Sequence, residues 1–158
     1  MKDRPPADAV PSLGEIGLSN YPPYLMNRIM GRYNASIRDE MAKLGLTTPK
    51  MRALAVLSVK DGLLITQLAV HAIVEQSTLS RALDALQADG LVRREADSED
   101  SRATRIFITA TGRAAFETLW PHMAESYLAM FRGVSEAEER AFVATLQKIH
   151  ANIRKHDF

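Results

Sequence analysis

The stretch Gln76-Ser77-Thr78-Leu79-Ser80-Arg81-Ala82-Leu83-Asp84-Ala85-Leu86 loses its rhythm on reaching Gly90-Leu91-Val92-Arg93-Arg94-Glu95. In the first run Leu79, Ala82, Leu83 and Leu86 share one face of a helix, since residues three and four apart stack on a 3.6-residue turn. Gly90 stops that helix, because glycine takes a left-handed conformation past a helix end at least cost. Leu91 to Glu95 then reads as a strand and Arg105-Ile106-Phe107-Ile108 as its partner. The polar run Ala96 to Thr104 between them is the long tip of a β-hairpin. Working back, Leu63-Leu64-Ile65 is a short strand-like run and Thr66 offers a cap for a helix of Gln67 to Ala72, with a break near Val74 to Gln76. Two short helices joined by a few residues, with a hairpin behind them, predict a winged helix-turn-helix.

Longer helices flank this lobe. Met26, Met30, Tyr33, Ile37, Met41 and Leu44 recur at three- and four-residue steps, predicting one amphipathic helix that ends at Gly45. Thr48-Pro49 opens another helix, with threonine as cap and Met51, Leu54, Val56, Leu57 and Val59 as its apolar face. Thr109 caps a helix carrying Phe116, Leu119, Trp120, Met123, Tyr127 and Met130 on one face, and Pro121 is expected to kink it. Ser135 and Glu138 form a capping box for a last helix bearing Phe142, Leu146, Ile149 and Ile153. Five prolines before residue 24 make residues 1–22 an expected irregular arm. The fold expected is mostly α (α+β), a winged helix-turn-helix over 47–109 with long N- and C-terminal dimerisation helices over 23–46 and 110–158.

Composition excludes several function classes. With 158 residues, 46% apolar and a net charge of +1, the chain is an ordinary globular domain with neither a polybasic nor an acidic tail. It has no cysteine, so disulfide scaffolds, thiol catalysis and cysteine redox sensing are out. No apolar run spans a membrane and the N-terminus lacks a signal-peptide core, so a cytoplasmic protein is expected. No glycine-rich phosphate loop or nucleophile motif is present, so neither an enzyme nor a cofactor is expected. His71, His122, His150 and His156 lack close helical spacing, and no metal site is expected.

From Leu46 to Gly112 the chain resembles the multiple antibiotic resistance regulator (MarR) family of bacterial winged helix-turn-helix proteins. The matching pieces are Leu68-Ala69, Ser77 to Leu86, Gly90 to Arg94, Asp97-Ser98-Glu99-Asp100-Ser101-Arg102-Ala103 and Ile108 to Arg113. With the flanking helices, the resemblance spans roughly residues 24 to 155. Ser101 stands where the family often has a second wing arginine, and Ala72-Ile73-Val74 is a more apolar turn than most.

Turning the leucine face of 76–89 inward leaves Gln76, Ser77, Thr78, Ser80, Arg81 and Asp84 outside. Hydroxyls and an arginine near a helix N-terminus suit phosphates and base edges of a major groove. The resemblance implies that Arg102 enters the minor groove while Asp100 braces it, and Arg105 is counted among the DNA contacts. Six arginines and six acids balance between Gln76 and Arg113 (Arg81, Arg93, Arg94, Arg102, Arg105, Arg113 against Asp84, Asp89, Glu95, Asp97, Glu99, Asp100). A basic face must therefore come from folding and from a dimer.

The terminal apolar stripes exceed what the small lobe can bury, so a two-fold homodimer on a palindromic operator is expected, with half-sites about 10 base pairs apart. The resemblance also implies release by a small organic effector, an aromatic acid or acyl thioester. Met26, Met30, Tyr33, Met51, Leu54 and Phe116 are the candidate lining, and Arg28, Arg32 and Arg52 the candidate anion contacts. Methionine suits a loose pocket, and equally an ordinary core. The competing class is a winged-helix protein-interaction module without specific DNA binding, separable by salt dependence.

Overall fold

The computed structural model describes Pro6 and residues 9–157. It comprises a unit ending at Arg38 and a larger one beginning at Asp39. In the first unit Ser12 and Glu15 cap each other across a four-residue helix, α1 (Leu13–Ile16). A 3-10 turn (Leu18–Asn20) and α2 (Pro22–Ser36) follow. The arm expected to be irregular thus carries helical turns, because a serine–glutamate box satisfies the first amides locally. Its residues 1–5, 7 and 8 lie outside the described residues.

The single helix expected from Tyr24 to Leu44 is two. α2 stops at Ser36 and α3 (Arg38–Lys43) begins after Ile37. Ser36 Oγ donates to the Tyr33 carbonyl at 2.7 Å, and the Ile37 amide turns to the Ala35 carbonyl. A hydroxyl bonding back onto the preceding turn competes with the helical ladder.

In the larger unit Gly45 sits at φ 67, and the amides of Gly45 and Leu46 close the end of α3 on the carbonyls of Ala42 and Met41. α4 (Thr48–Val59) has Thr47 rather than Thr48 at its cap position, with no side-chain bond, and Pro49 in the first turn. Met51, Ala53, Leu54 and Leu57 are buried, but Val59 is 85% exposed. Five residues past Leu54 it lies about 140° further round the helix, off the expected face.

β1 (Leu63–Leu64) leads directly into α5 (Ile65–Ala72). Gln67 Oε1 accepts the Leu64 amide at 3.1 Å, so the cap lies at Leu64 rather than Thr66. After α6 (Gln76–Ala88) come β2 (Val92–Ala96) and β3 (Thr104–Ile108). The antiparallel sheet has the order β1-β3-β2, with Leu63 opposite Ile106, Val92 opposite Ile108 and Ala96 opposite Thr104. Leu54, Leu57, Leu68, Leu79, Leu83, Leu86, Ile106 and Leu119 are fully buried, each stabilising by about 1.5–3 kcal/mol.

α7 (Ala110–Met130) is capped by Thr109, whose Oγ1 accepts the Gly112 amide at 3.0 Å, and it continues through Pro121. Phe116, Leu119 and Met123 are buried, whereas Trp120, Tyr127 and Met130 of the expected face are exposed. α8 (Glu136–Ile153) opens on the Ser135–Glu138 box and buries no residue. Among the described residues no helix is long and apolar enough to cross a membrane.

Candidate nucleic-acid interface

α6 and the β2–β3 hairpin are neighbours in the fold. Leu79, Leu83 and Leu86 turn α6 inward, leaving Gln76, Ser77, Thr78 and Arg81 exposed and Ser80 half-buried. Its cap residue, Glu75, makes no side-chain cap bond. Asp84, read as part of the outer arc, meets Arg94 of β2 at 2.8 Å and so ties α6 to the wing. Arg94 Nε is buried without a hydrogen-bond partner among the described residues.

The hairpin tip is organised by Asp97, only 8% exposed. One of its oxygens accepts the amides of Glu99 and Asp100 at 2.9 and 3.0 Å, while the other pairs with Arg105 Nε. The Asp100 and Glu99 amides, then Arg105, hold its carboxyl below the ordinary range. Arg105 also donates to the Gly62 carbonyl at 2.7 Å. Its guanidinium is therefore committed on two sides, and the expected DNA contact is better described as a brace of the wing against the β1 corner. Beyond Asp97 the tip projects Arg102, its side chain 90% exposed. Asp100 Oδ1 accepts both the Arg102 amide and its Nε, at 3.0 and 3.1 Å. So exposed a pair adds little stability, but it restricts where the guanidinium points.

The ion pairs explain how a neutral segment presents cations. Arg93 pairs with Glu95 and lies 4.4 Å from the Phe107 ring centroid. Arg113 donates to the Ser58 carbonyl at 3.1 Å, and Asp89 meets Lys50 at 3.7 Å. Of the six arginines only Arg81 has no hydrogen bond or ion pair among the described residues, and Arg102 is held only by its neighbour at the tip. Arg81 and Arg102 are thus left facing solvent on adjacent elements.

The candidate effector residues fall in both units. In α2, Met26 and Tyr33 are half-buried, Met30, Arg28 and Arg32 exposed, and Arg28 donates to the Tyr24 hydroxyl at 2.9 Å. Burial raises the Tyr33 hydroxyl above its usual range. In the larger unit Met51 and Leu54 of α4 and Phe116 of α7 belong to the core. Arg52 donates to the Ile73 carbonyl at 3.1 Å, a link between elements 21 positions apart that sequence reasoning missed. His122 faces Glu40 at 3.5 Å, and no described group of three His, Asp or Glu is placed to hold a metal ion.

Known proteins place this geometry. The MarR family profile matches residues 44–103. A MarR-family transcriptional regulator from Silicibacter pomeroyi, solved by crystallography, is 61% identical, covering 94% of this chain and 100% of that one with a TM-score of 0.90. The transcriptional repressor YetL of Bacillus subtilis is 32% identical over 77% of this chain and 70% of its own length. CouR of Rhodococcus jostii RHA1, whose structure holds p-coumaroyl-CoA, shares the fold at 20% identity and a TM-score of 0.74, covering 89% of this chain and 99% of its own. With α6, the β2–β3 hairpin and these relatives in agreement, the chain belongs to the MarR family of transcriptional regulators.

Proposed function

We propose that the chain is a sequence-specific DNA-binding repressor that works as a two-fold homodimer. α6 enters the major groove through Gln76, Ser77, Thr78, Ser80 and Arg81, and Arg102, steadied by Asp100, reaches the minor groove. The observation that carries this reading is the pairing of every other arginine between Gln76 and Arg113, which leaves Arg81 and Arg102 for an outside partner. The dimer is supported by apolar side chains exposed on α7 and α8, among them Leu128, Phe142, Val143 and Ile153. Covering them with a second copy presents two α6 helices to a palindrome.

An aromatic acid or its thioester releases the DNA. The aromatic acyl thioester held by CouR motivates this part of the reading.

The test is fluorescence anisotropy on DNA selected from a random pool, with an unrelated fragment as control. Wild type should bind the selected DNA more tightly and lose affinity steeply with salt. Arg81→Ala and Arg102→Ala should each weaken binding about tenfold or more, the range of a base-reading arginine. Sedimentation should give a dimer, and calorimetry with a panel of hydroxycinnamic acids and their CoA thioesters tests the effector class. Binding to neither DNA nor ligand would point to a protein-interaction module.

A further inference from the structure

Ile73, between α5 and α6, adopts φ 55 and ψ 52, a left-handed conformation for a β-branched residue. Such a residue at positive φ is a genuine outlier. The turn closes by two backbone bonds, Ile73 amide to Val70 carbonyl at 3.2 Å and Val74 amide to Ala69 carbonyl at 3.1 Å. Packing of the side chain does not offset the strain, because Ile73 is 78% exposed. One long-range bond does reach the turn. Arg52 Nη1, on α4, donates to the Ile73 carbonyl at 3.1 Å. Strained backbone persists where its surroundings over-determine it, and α4 packs against both α5 and α6.

We infer that Arg52 is a positioning residue for the recognition helix: its guanidinium clamps the left-handed Ile73 turn and so fixes where α6 begins. Gly45 and Gly90 end α3 and α6 with the same pair of backbone bonds. Their carbonyls also accept a side chain, Lys50 Nζ at 3.4 Å and Thr109 Oγ1 at 2.6 Å. Glycine takes that conformation without strain, so there the side-chain bond is an addition, whereas at the strained isoleucine it is what holds the turn. The role rests on the DNA-binding reading only for its affinity readout.

The test is a double-mutant cycle of Arg52→Gln and Ile73→Gly, read by operator affinity and by amide hydrogen exchange at Val74. Arg52→Gln should weaken operator binding about tenfold, the cost of losing a hydrogen bond from a charged donor, and should speed exchange. Ile73→Gly should bind like wild type. The double variant should match Ile73→Gly within about twofold, because glycine no longer needs the clamp. Full affinity in Arg52→Gln, or a double variant as weak as Arg52→Gln, would overturn the inference. Should Arg52→Gln fail to fold alone, folding in the Ile73→Gly background supports the clamp, and failure there overturns it. If no variant or wild type binds DNA, the DNA reading has failed, and exchange at Val74 still decides: fast in Arg52→Gln and restored in the double variant, or not.

Discussion

The turn that precedes α6, at the end of α5, and the turn that follows α6 are closed by the same backbone bonds and stabilised in different ways. At the trailing end Gly90, φ 73, sends its amide to Gln87 and the next amide to Leu86, and the conformation is native to glycine. At the leading end the equivalent position is Ile73, whose carbonyl is tied to Arg52 on another helix. Both carbonyls accept a side chain from a distant element, Thr109 Oγ1 at Gly90 and Arg52 at Ile73, but only at the leading turn does that bond hold a residue whose own backbone preference opposes the conformation. A helix anchored this way has a fixed rear and a front end that a change at a distance can disturb.

The largest effect is expected just behind the trailing turn. A Cβ at Gly112 would come within 2.0 Å of the Leu91 carbonyl oxygen. Gly112→Ala should cost on the order of 3 kcal/mol in urea unfolding, the upper end for overpacking. A loss below about 1 kcal/mol would mean that Leu91 yields, and that the trailing side is less rigid than the comparison requires. A smaller effect isolates conformation from space. Nothing lies within 4 Å of a Cβ at Gly90, so Gly90→Ile should lose only the left-handed penalty of about 1–2 kcal/mol. If it costs nothing, a left-handed isoleucine is not strained here and the Arg52 clamp has no work to perform.

What could be read beforehand divides into local and distant bonds. The leucine face of α6, the Thr109 cap and the Ser135–Glu138 box are satisfied within four residues of one another, and sequence spacing exposes them. The bond of the Ser36 hydroxyl back to Tyr33, where α2 ends before Ile37, is just as local, but the apolar stripe continues across the break and hides it. Arg52 to Ile73 and Arg105 to Gly62 join residues 21 and 43 positions apart, and no periodicity encodes them. The site was legible as a set of exposed side chains. That Arg105 belongs to the wing brace, while Arg81 stays unpaired, depends on which acid meets which arginine once the chain is folded.

Acid separates the two sides with the gentlest perturbation. At the leading turn the bond from Arg52 to the Ile73 carbonyl involves no carboxylate. Beyond the trailing turn the wing depends on Asp97, whose carboxyl is held below its unfolded value of about 3.9 by the Asp100 and Glu99 amides and Arg105. A depressed carboxyl contributes stability that is complete above the unfolded value and lost as pH falls through the folded one. Amide shifts of Glu99 and Asp100 should therefore hold from about pH 6 to about pH 4 and move below that, while those of Ile73 and Val74 stay in place. Asp97→Asn should remove this transition and should loosen the tip at neutral pH. If Ile73 and Val74 moved together with the wing, the two ends of α6 would be coupled and the independence of its front anchor would be lost.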